Sequence, residues 1–178
     1  MKESIPIASD HAGFELKERL KAALERRGYA VDDLGPASDA STDYADYAHP
    51  LAERVSSGQA ARGVLMCGTG LGMSYAANRH PHVRAAVAWA PEIAELARQH
   101  NDANVLVLPA RFLSEDEAER ILDAWLATPF DGGRHERRIE KIETTDAARA
   151  EEAARHHPDH RVGLGEDGPG GHAHEELE

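Results

Sequence analysis

The chain has 178 residues, of which 32 are acidic and 20 basic, and its formal net charge is -12. This length suits one domain with a tail, and the negative charge disfavours nonspecific attraction to nucleic acids or anionic membranes. A single cysteine excludes an intramolecular disulfide, and no segment approaches the roughly 18 apolar residues of a membrane-spanning helix. The N-terminus also lacks a secretory signal, so we expect a cytoplasmic protein without nucleic-acid or membrane partners.

Short apolar segments alternate with helical periodicities along the chain. Strands are predicted at residues 5–8, 29–31, 64–66, 84–88 and 104–108. Helices are predicted at residues 13–27, around 48–55, from Pro91, from the capping-box pair Ser114 and Glu117, and at residues 134–155. This order predicts an α/β fold, a doubly wound three-layer sandwich with a five-stranded parallel sheet of flavodoxin-like order 2-1-3-4-5, plus the C-terminal helix. Pro6 conflicts with a central first strand, because it lacks a backbone donor, and is expected at the strand's first residue or at a bulge.

The C-terminal part of the chain differs in composition from the rest. From Ala150 onward it carries eight acidic and two basic residues, and from His156 it is rich in histidine. We predict one domain over residues 1–155 and a disordered tail over residues 156–178. The histidine spacing matches no structural zinc pattern, so no metal site is predicted, and adventitious metal affinity is the alternative.

The most informative motif is Cys67-Gly68-Thr69-Gly70-Leu71-Gly72, which stands between an apolar strand and a helix. Its alternate glycines permit positive φ and inward-facing N–H groups, and the helix N-terminus adds positive potential, so an anion or oxyanion is the expected occupant. A cysteine there is expected to hold a usable thiolate fraction and to act as a nucleophile or base. The alternative is an inert, buried cysteine beside a turn that needs small residues.

Polar residues follow two strands that are neighbours in the predicted sheet. Strand one is followed by Asp10 and His11, and strand three ends at Cys67. Because the carboxyl ends of such strands frame the ligand crevice, the topology predicts that Asp10, His11 and Cys67 face one pocket. Taken singly, Asp10 is equally interpretable as the N-cap of the first helix, and His11 as a surface residue.

Basic side chains form a further group of candidates. His100 lies in a polar segment that ends a helix, where it is either part of the C-terminal cap and turn or a general acid or base. Arg134 and Arg138 share a helix face, and Arg111 follows strand five near the same edge of the predicted sheet. The three arginines are therefore interpreted either as converging on one phosphate or as solvated surface charge.

Several motifs, taken in order, are similar to those of one family. They are Ser9-Asp10-His11-Ala12-Gly13, Thr42-Asp43-Tyr44, the Cys67–Gly72 loop, Ala77-Asn78, Arg98-Gln99-His100-Asn101-Asp102, Ala124-Trp125-Leu126 and Gly132-Gly133-Arg134-His135. Over roughly residues 5–145 the chain resembles the type B ribose-5-phosphate isomerases, within the wider group that includes the galactose-6-phosphate isomerase subunits. Cys67, together with Met73 further along the loop, is similar to the subgroup that uses a cysteine rather than a glutamate as base.

The resemblance implies an enzyme, an aldose–ketose isomerase that acts through an enediolate without metal or cofactor. In that chemistry Cys67 carries the proton between two carbons, and the loop amides face the developing oxyanion. By the same resemblance His100 helps to open the sugar ring, Asp10 and Thr69 contact sugar hydroxyls, and Asn101 holds the open chain.

The resemblance also implies how the substrate and the subunits are arranged. The residues implied at the phosphate are His11, Arg111, Arg134 and Arg138. The remaining substrate-binding residues are Tyr44, Gly68, Gly70, Leu71 and Gly72. The implied partners are a small sugar phosphate and a second copy of the chain, in a homodimer or homotetramer with a shared active site.

Other functions are compatible with parts of this pattern. Ribose 5-phosphate and ribulose 5-phosphate are the first expectation, and the alternatives are a six-carbon aldose 6-phosphate such as allose 6-phosphate, another pentose or a tetrose phosphate. A non-enzymatic sugar-phosphate sensor would need His11 and the arginines but not Cys67. A cysteine phosphatase is disfavoured because Met73 stands where an arginine is required, and the glycine spacing disfavours a dinucleotide-binding loop.

Overall fold

The computed structural model describes residues 1–155, so the predicted tail at residues 156–178, and with it the predicted domain boundary, lies outside the described residues. The strands are β1 (Ser4–Ser9), β2 (Ala30–Asp33), β3 (Gly63–Cys67), β4 (Ala85–Val87) and β5 (Val105–Pro109). The helices are α1 (Phe14–Arg26), α2 (Tyr44–Ser56), α3 (Leu71–Ala77), α4 (Pro91–Asn101), α5 (Glu115–Ala127) and α6 (Arg134–Arg155). Short 3-10 turns at His11–Gly13 and Ala110–Phe112 follow β1 and β5.

The five strands form one parallel sheet, as predicted, but their order is β2-β1-β3-β5-β4. The predicted order of the last two strands is therefore wrong. All five residues of β5, a continuous apolar run, are buried, which suits a strand covered on both faces and paired on both sides. The three residues of β4 are only partly buried, so the shorter strand occupies the sheet edge.

Helices cover both faces of the sheet and complete the predicted three-layer sandwich. One apolar core joins the sheet to α1, α4 and α5, and the second joins the opposite face to α2 and α3. Side chains alternate along β3, so Val64 and Met66 enter the first core while Leu65 and Cys67 enter the second. Cys67 therefore lies on the side of the sheet that carries α2 and α3.

Local sequence signals explain where several elements begin. Pro91 is the first residue of α4, and Ser114 and Glu117 form the predicted reciprocal capping box at the start of α5. Pro6 is the third residue of β1, in an unbroken register with β2, so the prediction of a first residue or a bulge is wrong. It is accommodated because the pairing of β1 with β3 starts only at Ile7. The Ser9 N–H donates to Gly35 on the β2 side, so by alternation the nitrogen of Pro6 points toward β3, before that pairing begins.

Within residues 1–155, no helix combines the length and apolar character needed to cross a membrane.

Candidate active site

Adjacent strand ends bring Asp10 and Cys67 to the same edge of the sheet. Ser9 pairs with Met66 in the parallel register of β1 and β3, so the following residues, Asp10 just after β1 and Cys67 at the end of β3, lie side by side. The Asp10 N–H donates to the Met66 carbonyl at 3.3 Å. A Cβ on Gly13 would lie only 2.7 Å from Met66 Cγ, so the turn after β1 lies directly against β3. Asp10 and the end of β3 therefore lie together at the carboxyl edge of the sheet.

Asp10 caps the turn that follows β1. Its Oδ1 accepts the N–H groups of Ala12 at 2.9 Å and Gly13 at 3.2 Å. Asp10 thus caps the 3-10 turn His11–Gly13 that leads into α1 rather than α1 itself, whose N-cap is Gly13, and both bonds use the same carboxylate oxygen. The buried side chain is held in one orientation beside Cys67, and the cap leaves Oδ2 for another partner.

His11 is joined to the segment that precedes α2. Its N–H donates to Thr42 Oγ1 at 3.1 Å, and its ring Nδ1 lies 3.2 Å from both the backbone nitrogen and the carbonyl oxygen of Thr42. The Nδ1 atom accepts from the first or donates to the second according to its tautomer. Both arrangements fix the imidazole next to the loop that connects β2 to α2.

The glycine loop connects Cys67, which is 4% exposed, to α3. Gly70 has φ 76°, a left-handed conformation that favours glycine, immediately before α3 begins. A Cβ on Gly72 would lie 2.7 Å from the ring of Tyr44, so that ring lies directly against the loop. Thr69 is exposed, and its Oγ1 accepts the N–H of Leu71 at 3.3 Å.

Arg111 covers the first glycine of this loop. Its N–H donates to the Gly68 carbonyl at 3.0 Å, and a Cβ on Gly68 would lie 3.2 Å from both Cδ and Nη1 of Arg111. A cationic side chain therefore lies against Gly68, the residue that follows Cys67. We define the carboxyl-edge cluster as Asp10, His11, Tyr44, Cys67–Gly72 and Arg111.

The remaining candidate residues lie at the opposite edge of the sheet. Helix α4 runs back against the strand direction, so His100 and Asn101 at its end lie near the start of β5. Before α6 begins at Arg134, the backbone N–H of Asp131 donates to the Gln99 carbonyl at 3.1 Å. We define the amino-edge cluster as His100, Asn101, Asp131, Arg134, His135 and Arg138.

One strand length separates the two clusters within a chain. Gly63, at the start of β3, donates its backbone N–H to the Asn104 carbonyl near the amino-edge cluster, whereas β3 ends at Cys67. Five strand residues span about 13 Å. Arg111 therefore lies at one edge, with Arg134 and Arg138 near the other, and the expected convergence of three arginines does not hold within a single chain. The physical reason is that α4 and the strands point in opposite directions.

The amino-edge cluster includes His135, for which no role was predicted from the sequence. Its ring stacks on that of His100 with centroids 4.4 Å apart and planes 13° from parallel, and its side chain is 5% exposed. Burial, together with neighbouring His100, Arg134 and Arg138, lowers the pKa of His135 below its ordinary value. The Gly132-Gly133-Arg134-His135 motif contained this residue, but sequence alone does not reveal a stacking partner.

The same residues include ligand atoms close enough to suggest a metal. Nitrogen and oxygen atoms of His100, Asp131 and His135 lie within 4.8 Å of one another. However, the two rings lie in nearly parallel, separate planes, so the lone pairs within those planes do not converge on one point. Arg134 and Arg138 add positive charge, which favours an anion over a cation at this position.

Arginines fix the end of α4 that carries His100 and Asn101. Asp102, the residue after α4, takes a left-handed conformation with φ 45°. Arg98 Nη1 donates to the Asp102 carboxylate and the Ala103 carbonyl, each at 2.8 Å. Arg84 Nε donates to the Asn101 carbonyl at 2.9 Å, and its Nη1 pairs with Glu143 on α6 at 2.8 Å. Arg98 therefore fixes the turn after α4, and Arg84 connects the end of α4 to α6.

Comparison with known proteins identifies relatives that cover most of the described fold. A family model, Ribose/Galactose Isomerase, matches residues 5–142. Ribose-5-phosphate isomerase B of Escherichia coli strain K12 is 43% identical over 147 residues, which is 83% of this chain and 99% of that protein.

Solved structures show the same similarity. The ribose 5-phosphate isomerase of Thermotoga maritima has a TM-score of 0.78 and 53% identity, covering 81% of this chain and 99% of that one. The Mycoplasma genitalium ribose-5-phosphate isomerase B, solved with bound ribulose-5-phosphate, has a TM-score of 0.79 and 43% identity, covering 83% and 98% of the two chains. The chain therefore belongs to the ribose/galactose isomerase family, which confirms the predictions of the family and of an enzyme, an isomerase.

Proposed function

We propose that this protein is a homodimeric, metal-independent isomerase that interconverts ribose 5-phosphate and ribulose 5-phosphate in the cytoplasm, with Cys67 as the base. The observation that carries the proposal is the position of Cys67, buried at the carboxyl edge beside a glycine loop and Arg111. The names of the E. coli and M. genitalium relatives, and the ribulose-5-phosphate bound in the latter, support a pentose phosphate as substrate.

The chemistry requires one base that serves two adjacent carbons. The Cys67 thiolate removes the proton from C2 of the open-chain aldose, and the electron pair of that C–H bond forms the enediolate as the carbonyl oxygen becomes an oxyanion. The thiol then returns the proton to C1, a proton passes from the C2 hydroxyl to the C1 oxygen, and the ketose results. The N–H groups of the glycine loop face the developing negative charge, which they stabilise most strongly where water is excluded.

Other residues of the two clusters hold the substrate on either side of the thiol. Asp10 Oδ2 and Thr69 contact sugar hydroxyls, and the amide of Asn101 holds the open chain. His100 exchanges a proton with the ring oxygen as the furanose opens. His11, Arg111, Arg134 and Arg138 bind the phosphate, for which the planar guanidinium group is well matched.

The separation of the clusters supports a shared active site. Since one chain holds its two clusters at opposite edges, the amino-edge cluster that faces Cys67 comes from a second copy. The carboxyl edge also presents large apolar side chains that are 45% to 71% exposed in one chain. These are Tyr44, Leu71, Tyr75, Trp89 and Phe112. Burial of such a patch against a second copy stabilises a dimer, which is the smallest assembly that completes the site.

The direct test is conversion of ribose 5-phosphate by purified protein in the presence of a chelator. We expect turnover that survives the chelator and falls by about a thousandfold in Cys67→Ala, because the base is lost. His49→Gln, an exposed histidine outside both clusters, is the matched control. Undiminished turnover in Cys67→Ala would contradict the assignment of the base. Binding of sugar phosphates without turnover on any of them would instead favour a sensor, and a panel that includes allose 6-phosphate ranks the substrates.

A further inference from the structure

The imidazole of His135 supports the imidazole of His100 from one side. The ring centroids are 4.4 Å apart and the planes differ by 13°, so the contact is a face-to-face stack rather than an edge contact. His100 is partly exposed at the end of α4, whereas His135 is 5% exposed on the first turn of α6. A buried ring therefore forms the fixed surface against which a more exposed ring lies.

Burial and the charges around this stack disfavour protonation of the supporting ring. Burial, His100, Arg134 and Arg138 lower the pKa of His135, and Asp131 acts weakly in the opposite direction. A neutral ring stacks on a neighbouring imidazole without the repulsion that two imidazolium ions would have. Hydrogen bonds from Arg84 and Arg98 separately hold the backbone at the end of α4, so what remains to be fixed at His100 is its side-chain orientation.

We propose that His135 is a positioning residue, whose flat, buried ring fixes the orientation of His100 for proton exchange with the sugar ring oxygen. This inference rests on the proposed function, in which His100 opens the furanose. It assigns His135 no contact with the reacting carbons and no share in the proton transfer by Cys67. A general acid that is misdirected by even a small rotation loses much of its rate advantage, so the stack affects turnover more than binding.

Two variants with side chains of similar size distinguish a role for the planar ring of His135 from a role for its volume. His135→Phe keeps a planar ring that stacks but removes both ring nitrogens, and His135→Leu keeps an apolar side chain but removes the flat surface. We expect His135→Leu to lower kcat on ribose 5-phosphate by about tenfold, with KM and the inhibition constant of inorganic phosphate changed by less than about threefold. His135→Phe is expected to retain kcat within about threefold of the unmodified protein.

Proton nuclear magnetic resonance measures the stack without any turnover. The C2–H resonance of His100 is identified by its absence from His100→Gln. We expect the ring-current shift of this resonance to persist in His135→Phe and to disappear in His135→Leu. This measurement applies even if the protein turns over no sugar phosphate, a result that would remove the proposed function but leave the stack testable.

The outcomes discriminate among the possible roles of His135. Equal kcat values in the two variants and the unmodified protein would overturn the proposal, because the flat ring would not matter. A parallel rise in KM and in the phosphate inhibition constant in both variants would also overturn it, since His135 would then hold the phosphate. An unchanged His100 resonance in His135→Leu would show that His100 is oriented by other contacts. Loss of kcat in the leucine variant alone, with the resonance shift, supports the proposal.

Discussion

The two clusters of candidate residues are built in different ways. The carboxyl-edge cluster is placed mainly by backbone: adjacent strand ends, the Asp10 cap, a positive φ at Gly70 and the His11 to Thr42 bonds. The amino-edge cluster depends on side chains that join two helices, through the His100 stack and the Arg84 to Glu143 pair. A substitution in the carboxyl-edge cluster therefore acts on the chemistry directly. A substitution of a supporting side chain in the amino-edge cluster instead alters the orientation of His100.

The largest expected effect comes from placing one defect in each cluster and mixing the two proteins. Cys67→Ala and His100→Gln homodimers are each expected to be nearly inactive. If the site is shared, a mixed dimer has one site with both residues intact, so random exchange of subunits restores about a quarter of the full activity. Activity assayed after unfolding and refolding the mixture measures this.

The control for subunit exchange is a mixture of Cys67→Ala with Cys67→Ser, which restores no intact site. Absence of recovery in the Cys67→Ala and His100→Gln mixture, with mixed dimers present by mass spectrometry, would mean that each site is formed within one chain. The two clusters would then have to approach each other by a large rearrangement of the fold.

A smaller effect is expected in the glycine loop, where two substitutions act differently. Gly70→Ala places a Cβ at φ 76° within 3.2 Å of Val87 and 3.5 Å of the Leu108 backbone, so we expect a loss of about 1–3 kcal/mol in the free energy of unfolding. The nearest atoms to a Cβ in Gly72→Ala are at the end of the exposed Tyr44 ring, which can move. We expect little loss of stability there but a higher KM.

Urea denaturation and steady-state kinetics separate the two cases. Tyr44→Leu combined with Gly72→Ala is the matched control, because it removes the ring that a Cβ meets. A Gly72→Ala variant with a normal KM would show that the position of Tyr44 against the loop does not matter for substrate binding.

A third effect concerns the buried Lys17, which is connected to the carboxyl-edge cluster through Asp33 and Gly35. Its ammonium is fully buried and lies 2.9 Å from Asp33, whose Oδ1 also accepts the Gly35 N–H at 2.9 Å. Gly35 in turn accepts the N–H of Ser9, next to Asp10. Lys17→Met leaves Asp33 partly exposed and still paired with Lys21, so we expect a loss of about 1–2 kcal/mol rather than the larger cost of an unpaired buried charge.

Urea denaturation of Lys17→Met measures this loss, and Lys21→Met is the matched control because Lys21 is more exposed. A larger loss in Lys21→Met than in Lys17→Met would mean that the exposed ion pair, and not the buried one, holds the β2 end in place.

The smallest expected effect is a change in stability with pH. The pKa of His135 is lowered in the folded protein, so below the ordinary histidine value of about 6.5 the unfolded chain binds a proton that the folded chain does not. Stability contributed by the neutral ring is therefore lost as pH falls below about 6.5. Burial and the neighbouring His49 lower the pKa of His80 and act in the same direction.

Aspartate titration extends this decline to lower pH. Although partial burial alone would raise the pKa of Asp33, hydrogen bonds from Lys21, Lys17 and the Gly35 N–H hold it below its ordinary value. Its contribution is present above about pH 3.9 and is lost as pH falls through the lower folded value. Thermal denaturation from pH 8 to pH 5 tests the histidine part: His135→Phe should flatten the curve, and an unchanged slope would contradict it.

Much of this fold is encoded in local patterns. Ser114 and Glu117 predicted the start of α5, and Pro91 predicted the start of α4, because caps and first-turn prolines act within a few residues. The polar residues after β1 and β3 predicted which chemistry lies at the carboxyl edge, since parallel strands end together. The same patterns could not order β4 and β5, because the choice of edge depends on burial summed over the whole sheet.

By itself, the sequence determined the α/β class, the elements and the kinds of side chain available for catalysis. Only the tertiary structure decided that His100, Arg134 and Arg138 lie at the opposite edge of the sheet from Cys67, and that His135 stacks on His100. The physical reason is one of range. Propensities and caps act over a few residues, whereas the direction in which a helix returns and the partner of a buried ring depend on packing between distant segments.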